Sequence, residues 1–388
     1  MKRPATTLRG DNAIALAAAA CLAAGAPAAA APGSESQVER VSQDVTTATA
    51  VQGDLKQKGV NFLIVPLPVV DPAVGKGLTL ATGLFYSPVK GGRPWVTGIG
   101  VLYTSNKDWA LGVAQQADLL DGRLRLAAGA GYGDFKLDFF GIGQNAGSQG
   151  LSIRLDEKGL FALFNGLYKV AGPLYAGVRY RFLSVDSRLA EPLFPDHPVI
   201  PNAELKTKIS GLGPSADFDT RNSEFTPTKG AYITGQWLFD GSGVGSDFSY
   251  SKATLAANGY LPITKKTVLA LRGSVCDSSH GAPFYDLCFF GSQHDLRGYE
   301  GGRYRDHAMG AAQAELRQAL FGRFGAVVFV GVGGVAPSMG ELWAAKALPS
   351  VGGGLRFQPV KKIPVNVSVD YAWGRGSQGL YLYIGEAF

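Results

Sequence analysis

Apolar and polar residues alternate with a period of two along most of this chain. In 365–373, Val365, Val367, Val369, Tyr371 and Trp373 take one face, and Asn366, Ser368, Asp370 and Ala372 the other. In 311–320, Ala312, Ala314 and Leu316 oppose Gln313, Glu315 and Arg317. The same holds in 174–183, where Val178 and Phe182 oppose Arg179 and Arg181, and in 230–240, where Trp237 and Phe239 oppose Gln236 and Asp240. Successive side chains of a β-strand point to opposite faces, so this period predicts strands. They are expected near 78–87, 95–104, 108–118, 123–133, 150–156, 159–170, 174–185, 205–218, 229–240, 247–260, 266–276, 311–320, 323–334, 348–358, 364–373 and 380–388. That makes sixteen, with 134–160 the hardest stretch to divide.

A soluble β-sandwich alternates in the same way, so the position of the polar groups has to decide. A sandwich core is apolar where its sheets meet. Here the apolar face is rich in aromatics, and the other face carries charges in mid-strand. That arrangement suits lipid outside and a wet, charged lumen inside. Closure into a barrel also satisfies every backbone group in the bilayer. The fold class expected is therefore all-β: a transmembrane antiparallel β-barrel of sixteen strands. An even count puts both ends on the periplasmic side and makes 186–204 and 277–310 outer loops.

Composition agrees: 53 Gly, 15 Tyr, 21 Phe and 5 Trp in 388 residues. Beyond the N-terminus no apolar run reaches the roughly 18 residues of a membrane-spanning helix. The net charge of +6 is not accompanied by any nucleic-acid motif, so nucleic acid is not an expected partner.

The first 31 residues resemble a secretory signal, with Lys2, Arg3 and Arg9 ahead of an apolar core at Ile14–Ala24 and small residues at Ala28–Ala31. Residues 32–59 are polar and aperiodic, a periplasmic linker, and 60–388 form the barrel. Cys21 leaves with the signal. Cys276 and Cys288 remain, and in an oxidising compartment such a pair fits a disulfide better than a metal site. No cofactor, metal or catalytic residue is expected.

Between the strands at 266–276 and 311–320 lies a glycine-rich, aromatic stretch, 289–306, centred on Arg297-Gly298-Tyr299. A connection that long is functional or disordered, and this composition suits a loop folded onto its own scaffold. The chain closes on Tyr383-Ile384-Gly385-Glu386-Ala387-Phe388, an amphipathic strand with a terminal aromatic, the usual address for the barrel-assembly machinery.

Several separated pieces resemble the BamA/TamA superfamily of outer-membrane assembly and translocation barrels, the bacterial surface antigen family. They are Pro283-Phe284-Tyr285, Phe290-Gly291-Ser292 and Leu296-Arg297-Gly298-Tyr299; Ala314-Glu315-Leu316-Arg317; Asp219-Thr220-Arg221-Asn222 with Pro227-Thr228-Lys229-Gly230; and Gly353-Gly354-Leu355-Arg356-Phe357 with Asp370-Tyr371. The resemblance implies a sixteen-stranded barrel whose sixth outer loop enters the lumen, its Arg gripping acids on the inner wall. A desolvated guanidinium needs a carboxylate, and Glu315 and Asp370 are the inward acids within reach of Arg297. It also implies a weak seam between first and last strands, here 78–87 and 380–388, with Gly379 and Gly385 weakening the latter. Two departures stand out. Gly331 occupies the position of a family Asp, and 32–59 is too short for even one periplasmic POTRA domain, so the chain looks like a barrel alone.

The function implied is insertion or secretion of outer-membrane or surface components, with outer-membrane lipids and protein clients as partners. The alternatives are a lipid-handling barrel or a channel. Inward Arg179, Arg181, Arg272 and Arg317 would favour anions or merely neutralise buried acids. An enzyme has less support: Ser278, Ser279, His280 and His294, with Asp277, Asp286 and Asp295, lie in an outer loop but match no nucleophile motif.

Overall fold

A computed structural model describes residues 61–71, 75–86, 95–189, 205–291, 295–358 and 366–388; the expected signal peptide and linker lie outside them. The strands are β1 (Asn61–Asp71), β2 (Gly75–Tyr86), β3 (Trp95–Thr104), β4 (Trp109–Leu119), β5 (Leu124–Phe139), β6 (Ile153–Ala171), β7 (Leu174–Leu189), β8 (Lys206–Asp219) and β9 (Gly230–Asp240). There follow β10 (Tyr250–Pro262), β11 (Thr267–Ser278), β12 (Cys288–Phe289), β13 (Arg305–Asp306), β14 (Ala308–Ala319), β15 (Phe324–Ala336), β16 (Leu348–Phe357), β17 (Val367–Gly374) and β18 (Ser377–Ile384). A short helix, α1 (Gln144–Gln149), sits in the loop between β5 and β6.

Sixteen strands form one antiparallel sheet in chain order, omitting only β12 and β13, which pair with each other inside the loop between β11 and β14. The sheet curls until Cα atoms of β1 and β18 come within 8 Å of one another. Among the described residues no hydrogen-bonded ladder joins those two strands.

Alternation sorts the side chains between the two faces of this sheet. Outward side chains such as Val178, Trp237, Leu316, Val328 and Trp373 are exposed, whereas inward Arg181, Glu315, Arg317 and Asp370 are buried. That is the reverse of a soluble protein and the arrangement of a lipid-facing barrel.

Two expectations about the strands need correction, and they cancel in the count. The segments 150–156 and 159–170 form one strand, β6, paired along its length with β5 and β7. The expected division falls at 157–158; the strand instead runs on through the polar Asp156-Glu157-Lys158, where Lys158 Nζ meets Asp134 at 3.0 Å on the outside. The first strand is β1, not 78–87, which belongs to the second strand and is paired on both sides. The two edge strands of the sheet are therefore β1 and β18.

Candidate functional site

The long loop between β11 and β14 folds into the lumen, and its residues are among the most buried of the chain: Arg297, Tyr299, Phe290 and Leu296 have no exposed surface. Cys276, near the end of β11, is bonded to Cys288 with a Cα–Cα distance of 5.7 Å, which ties the start of the loop to its wall. Phe290, Tyr299 and Tyr304 then pack together, with ring centroids 5.5–5.7 Å apart.

Arg297 reaches the wall made by β14–β17. Its Nη2 lies 2.6 Å from Glu315 Oε2, and its Nη1 bonds Asp370. The guanidinium carbon stands 3.4 Å from the centre of the Phe329 ring. Both acids are shared. Arg317 Nε donates to Glu315 (2.7 Å), and Arg356 bonds Asp370 and donates through Nε to Glu386 (2.7 Å). Three arginines thus meet three carboxylates, and Tyr383 adds its hydroxyl to Asp370. Pairing of this density is what permits charges to be buried at all.

The neighbours of Arg297 fix the turn. Gly298 has φ +100°, and a Cβ there would stand 2.7 Å from the Trp373 carbonyl carbon, so only glycine fits. Its N–H donates to the Tyr381 hydroxyl (2.8 Å), and the Tyr299 hydroxyl donates to the Pro349 carbonyl (2.6 Å). At Gly331, where the family pattern has an acid, Leu296 fills the space instead: a Cβ would meet its Cδ1 at 2.7 Å.

A second attachment was not foreseen. Asp286, in the short turn 284–286, accepts from Arg181 (2.7 Å), Lys252 (2.9 Å) and the Tyr250 hydroxyl (2.6 Å). Arg181 also meets Asp240 at 2.9 Å, and Tyr285 shares a 2.6 Å hydrogen bond with Thr207. These partners lie on β7–β10. Burial pushes the Asp286 carboxyl up, but Arg181, Lys252 and Tyr250 outweigh it and hold it at about 2. The loop is thus joined to both sides of the lumen.

Arg272 uses its charge on Asp295 (3.0 Å) and Asn258 (2.9 Å). Near the outer end, His280 stacks on His307 at 5.0 Å, and Ser278 donates to the His307 carbonyl at 3.1 Å. His294 lies outside the described residues.

The chain's end turns inward. Gly385 adopts φ +84° and donates its N–H to the Asn366 carbonyl (2.7 Å). Beyond it Glu386, Ala387 and Phe388 are in the lumen, where Arg317 Nη2 donates to the Phe388 carbonyl (2.7 Å). The backbone of Ile384 pairs with Val367.

The comparisons agree with this architecture. The chain matches solved structures described as BamA from Haemophilus ducreyi lacking POTRA domains 1–3 (16% identity, TM-score 0.58, 89% of this chain and 78% of that one). It also matches CdiB from Acinetobacter baumannii (14%, 0.56, 84% and 60%) and CdiB from Escherichia coli (11%, 0.58, 88% and 70%). A search of curated protein sequences gives no match. The family model for the Omp85 superfamily domain matches residues 103–388, from the end of β3 through the whole luminal network to the last residue, and the chain belongs to that superfamily.

Proposed function

We propose that this protein works in the outer membrane as an insertion or secretion barrel, acting on outer-membrane or surface polypeptides at the seam between β1 and β18. Arg297, Gly298 and Tyr299, with Glu315 and Asp370, serve as the lock that keeps the loop in the lumen. One observation carries the reading: the loop is joined to the wall on two sides, at Arg297 and at Asp286, while among the described residues β1 and β18 share no ladder. A loop fastened across the lumen beside an edge without a ladder favours traffic at the seam over passive flow down the axis. Membership of the Omp85 superfamily and the likeness to BamA and CdiB support the same reading. Outer-membrane lipids surround the exposed apolar belt, and an N-terminal signal peptide delivers the chain to the assembly machinery.

The test is a quantitative comparison of outer-membrane proteome and lipids with and without the gene. Selective loss of a few barrel or surface proteins is the expected result. An unchanged proteome with altered solute or lipid permeability would replace this reading with transport.

A further inference from the structure

The lumen is charged along β14–β17, but on β2–β7 its wall turns apolar around one cavity. The cavity has about 680 Å³ of empty space, part of it open to solvent. Pockets for small ligands span about 300–1,000 Å³. Leu102, Ala110, Phe135, Leu137, Phe161 and Val185 line it. Its floor carries no side chains where Gly100 pairs with Gly112 and Gly133 with Gly159. A Cβ on Gly131 would run into the Phe161 ring, and one on Gly133 into the Phe135 ring. Both rings thus lie down along the wall over glycine instead of standing across the cavity, which keeps the space open.

Polar atoms without partners gather at one end. Glu157 lines the cavity at 6% exposure, and its Oε1 has no hydrogen-bond partner among the described residues. Ser187 is its register partner on β7 and so shares its face; it is fully buried, and its Oγ is likewise unpartnered. From the loop side comes Arg305, whose charge acts on Glu157. Its Nε donates to the Gly302 carbonyl (3.0 Å) and its Nη1 to the Phe284 carbonyl (3.2 Å), which leaves the buried Nη2 without an acceptor. Native interiors leave few such atoms unpaired, because each has given up its hydration. An acceptor, a hydroxyl and a donor together at the end of one apolar cavity describe a headgroup site.

We propose that this cavity binds a neutral amphiphile: one apolar chain along Leu102, Phe135 and Phe161, with an uncharged hydroxyl or amide head that donates to Glu157 and accepts from Arg305. A plain hydrocarbon would leave all three polar atoms unpaired. A carboxylate head would meet Glu157 as a like charge, and an ammonium head would meet Arg305 as one. None of the residues that form the site belongs to β1, to β18 or to the Arg297 network. It therefore stands whether or not the seam carries traffic.

The experiment uses the full chain in phosphatidylcholine vesicles and a long-chain alcohol carrying a mid-chain diazirine, with labelled residues read by mass spectrometry. An untagged alcohol of the same length should displace label from inward Leu102, Leu137 and Phe161 about tenfold more readily than the corresponding alkane, the effect of one hydrogen bond to a charged group. This competition on the parent needs no variant to fold. Glu157→Leu should erase the difference. Ala110→Phe, which fills the cavity and touches no polar group, should abolish inward labelling; both variants are read on barrels whose heat-modified electrophoretic mobility matches the parent's. Labelling confined to outward Tyr132 and Leu160 overturns the site. Inward label displaced equally by the alkane, or better by the fatty acid or the alkylammonium, overturns the headgroup assignment. A difference that survives Glu157→Leu overturns the role of Glu157.

Discussion

Leu296 occupies the hollow over Gly331: a Cβ on that glycine would come within 2.7 Å of the leucine Cδ1 and 2.9 Å of Gln313 Cγ. The missing luminal acid is therefore not an empty place but a filled one. Gly331→Asp should expel Leu296 and bring an additional charge into the lumen, at about 1–3 kcal/mol for overpacking alone. A lower melting temperature and faster proteolysis within 289–306 would be the readouts. An unchanged protein would mean that Leu296 does not hold the loop there.

Removing the Arg297 charge tests the other side of the same turn. Arg297→Met leaves Glu315 and Asp370 to Arg317 and Arg356 alone and removes the stacking on Phe329. Breaking a buried pair from one side costs about 3–5 kcal/mol. Pore conductance in planar bilayers should rise and the loop should become protease-sensitive. If neither changes, the pairing does not secure the loop.

Asp286 makes the opposite attachment pH-dependent. Its carboxyl is held down at about 2, against an ordinary 3.8, so its contribution is fully present above pH 4 and is lost as pH falls through about 2. Asp286→Asn should loosen the loop at pH 7, measured by proteolysis or hydrogen exchange over 284–291. At pH 2 variant and parent should converge. A constant difference across that range would assign the attachment to other groups.

The disulfide can be tested without touching charge. Cys276→Ser with Cys288→Ser, or reduction of the parent, should lower unfolding stability by about 3 kcal/mol, the usual effect of closing a loop of this length. Heat-modified electrophoretic mobility with and without reductant is a direct measurement. Equal transition temperatures would show the bond to be dispensable.

Much of the wall was legible in the sequence because each strand states its own two faces. Glu315 and Asp370 alternate with apolar neighbours and could be placed inward before any contact was known, and the Arg297 turn was visible as a glycine-rich aromatic loop. Asp286 was passed over as one loop acid among several. Its partner Arg181 lies 105 residues away, and no local period encodes that distance. Arg356 and Glu386 were missed as network members for the same reason. The strand β1 was hidden by Pro66 and Pro68, which count against a strand anywhere except at an edge. At 150–170 the expected two strands, 150–156 and 159–170, are one, because the local pattern of the charged residues between them does not say where the strand ends.

The loop's two attachments also bear on the order of events when the protein forms. Asp286 is held by strands from the first part of the sheet, β7–β10, and Arg297 by strands from the last part, β14–β17. The expected order is that the loop, tethered to β11 by its disulfide, seats while the sheet is still open and the two halves then wrap around it. The plug is in that sense a mandrel, and a variant that fails to seat it should stall as an open, unclosed sheet rather than mature into an empty ring.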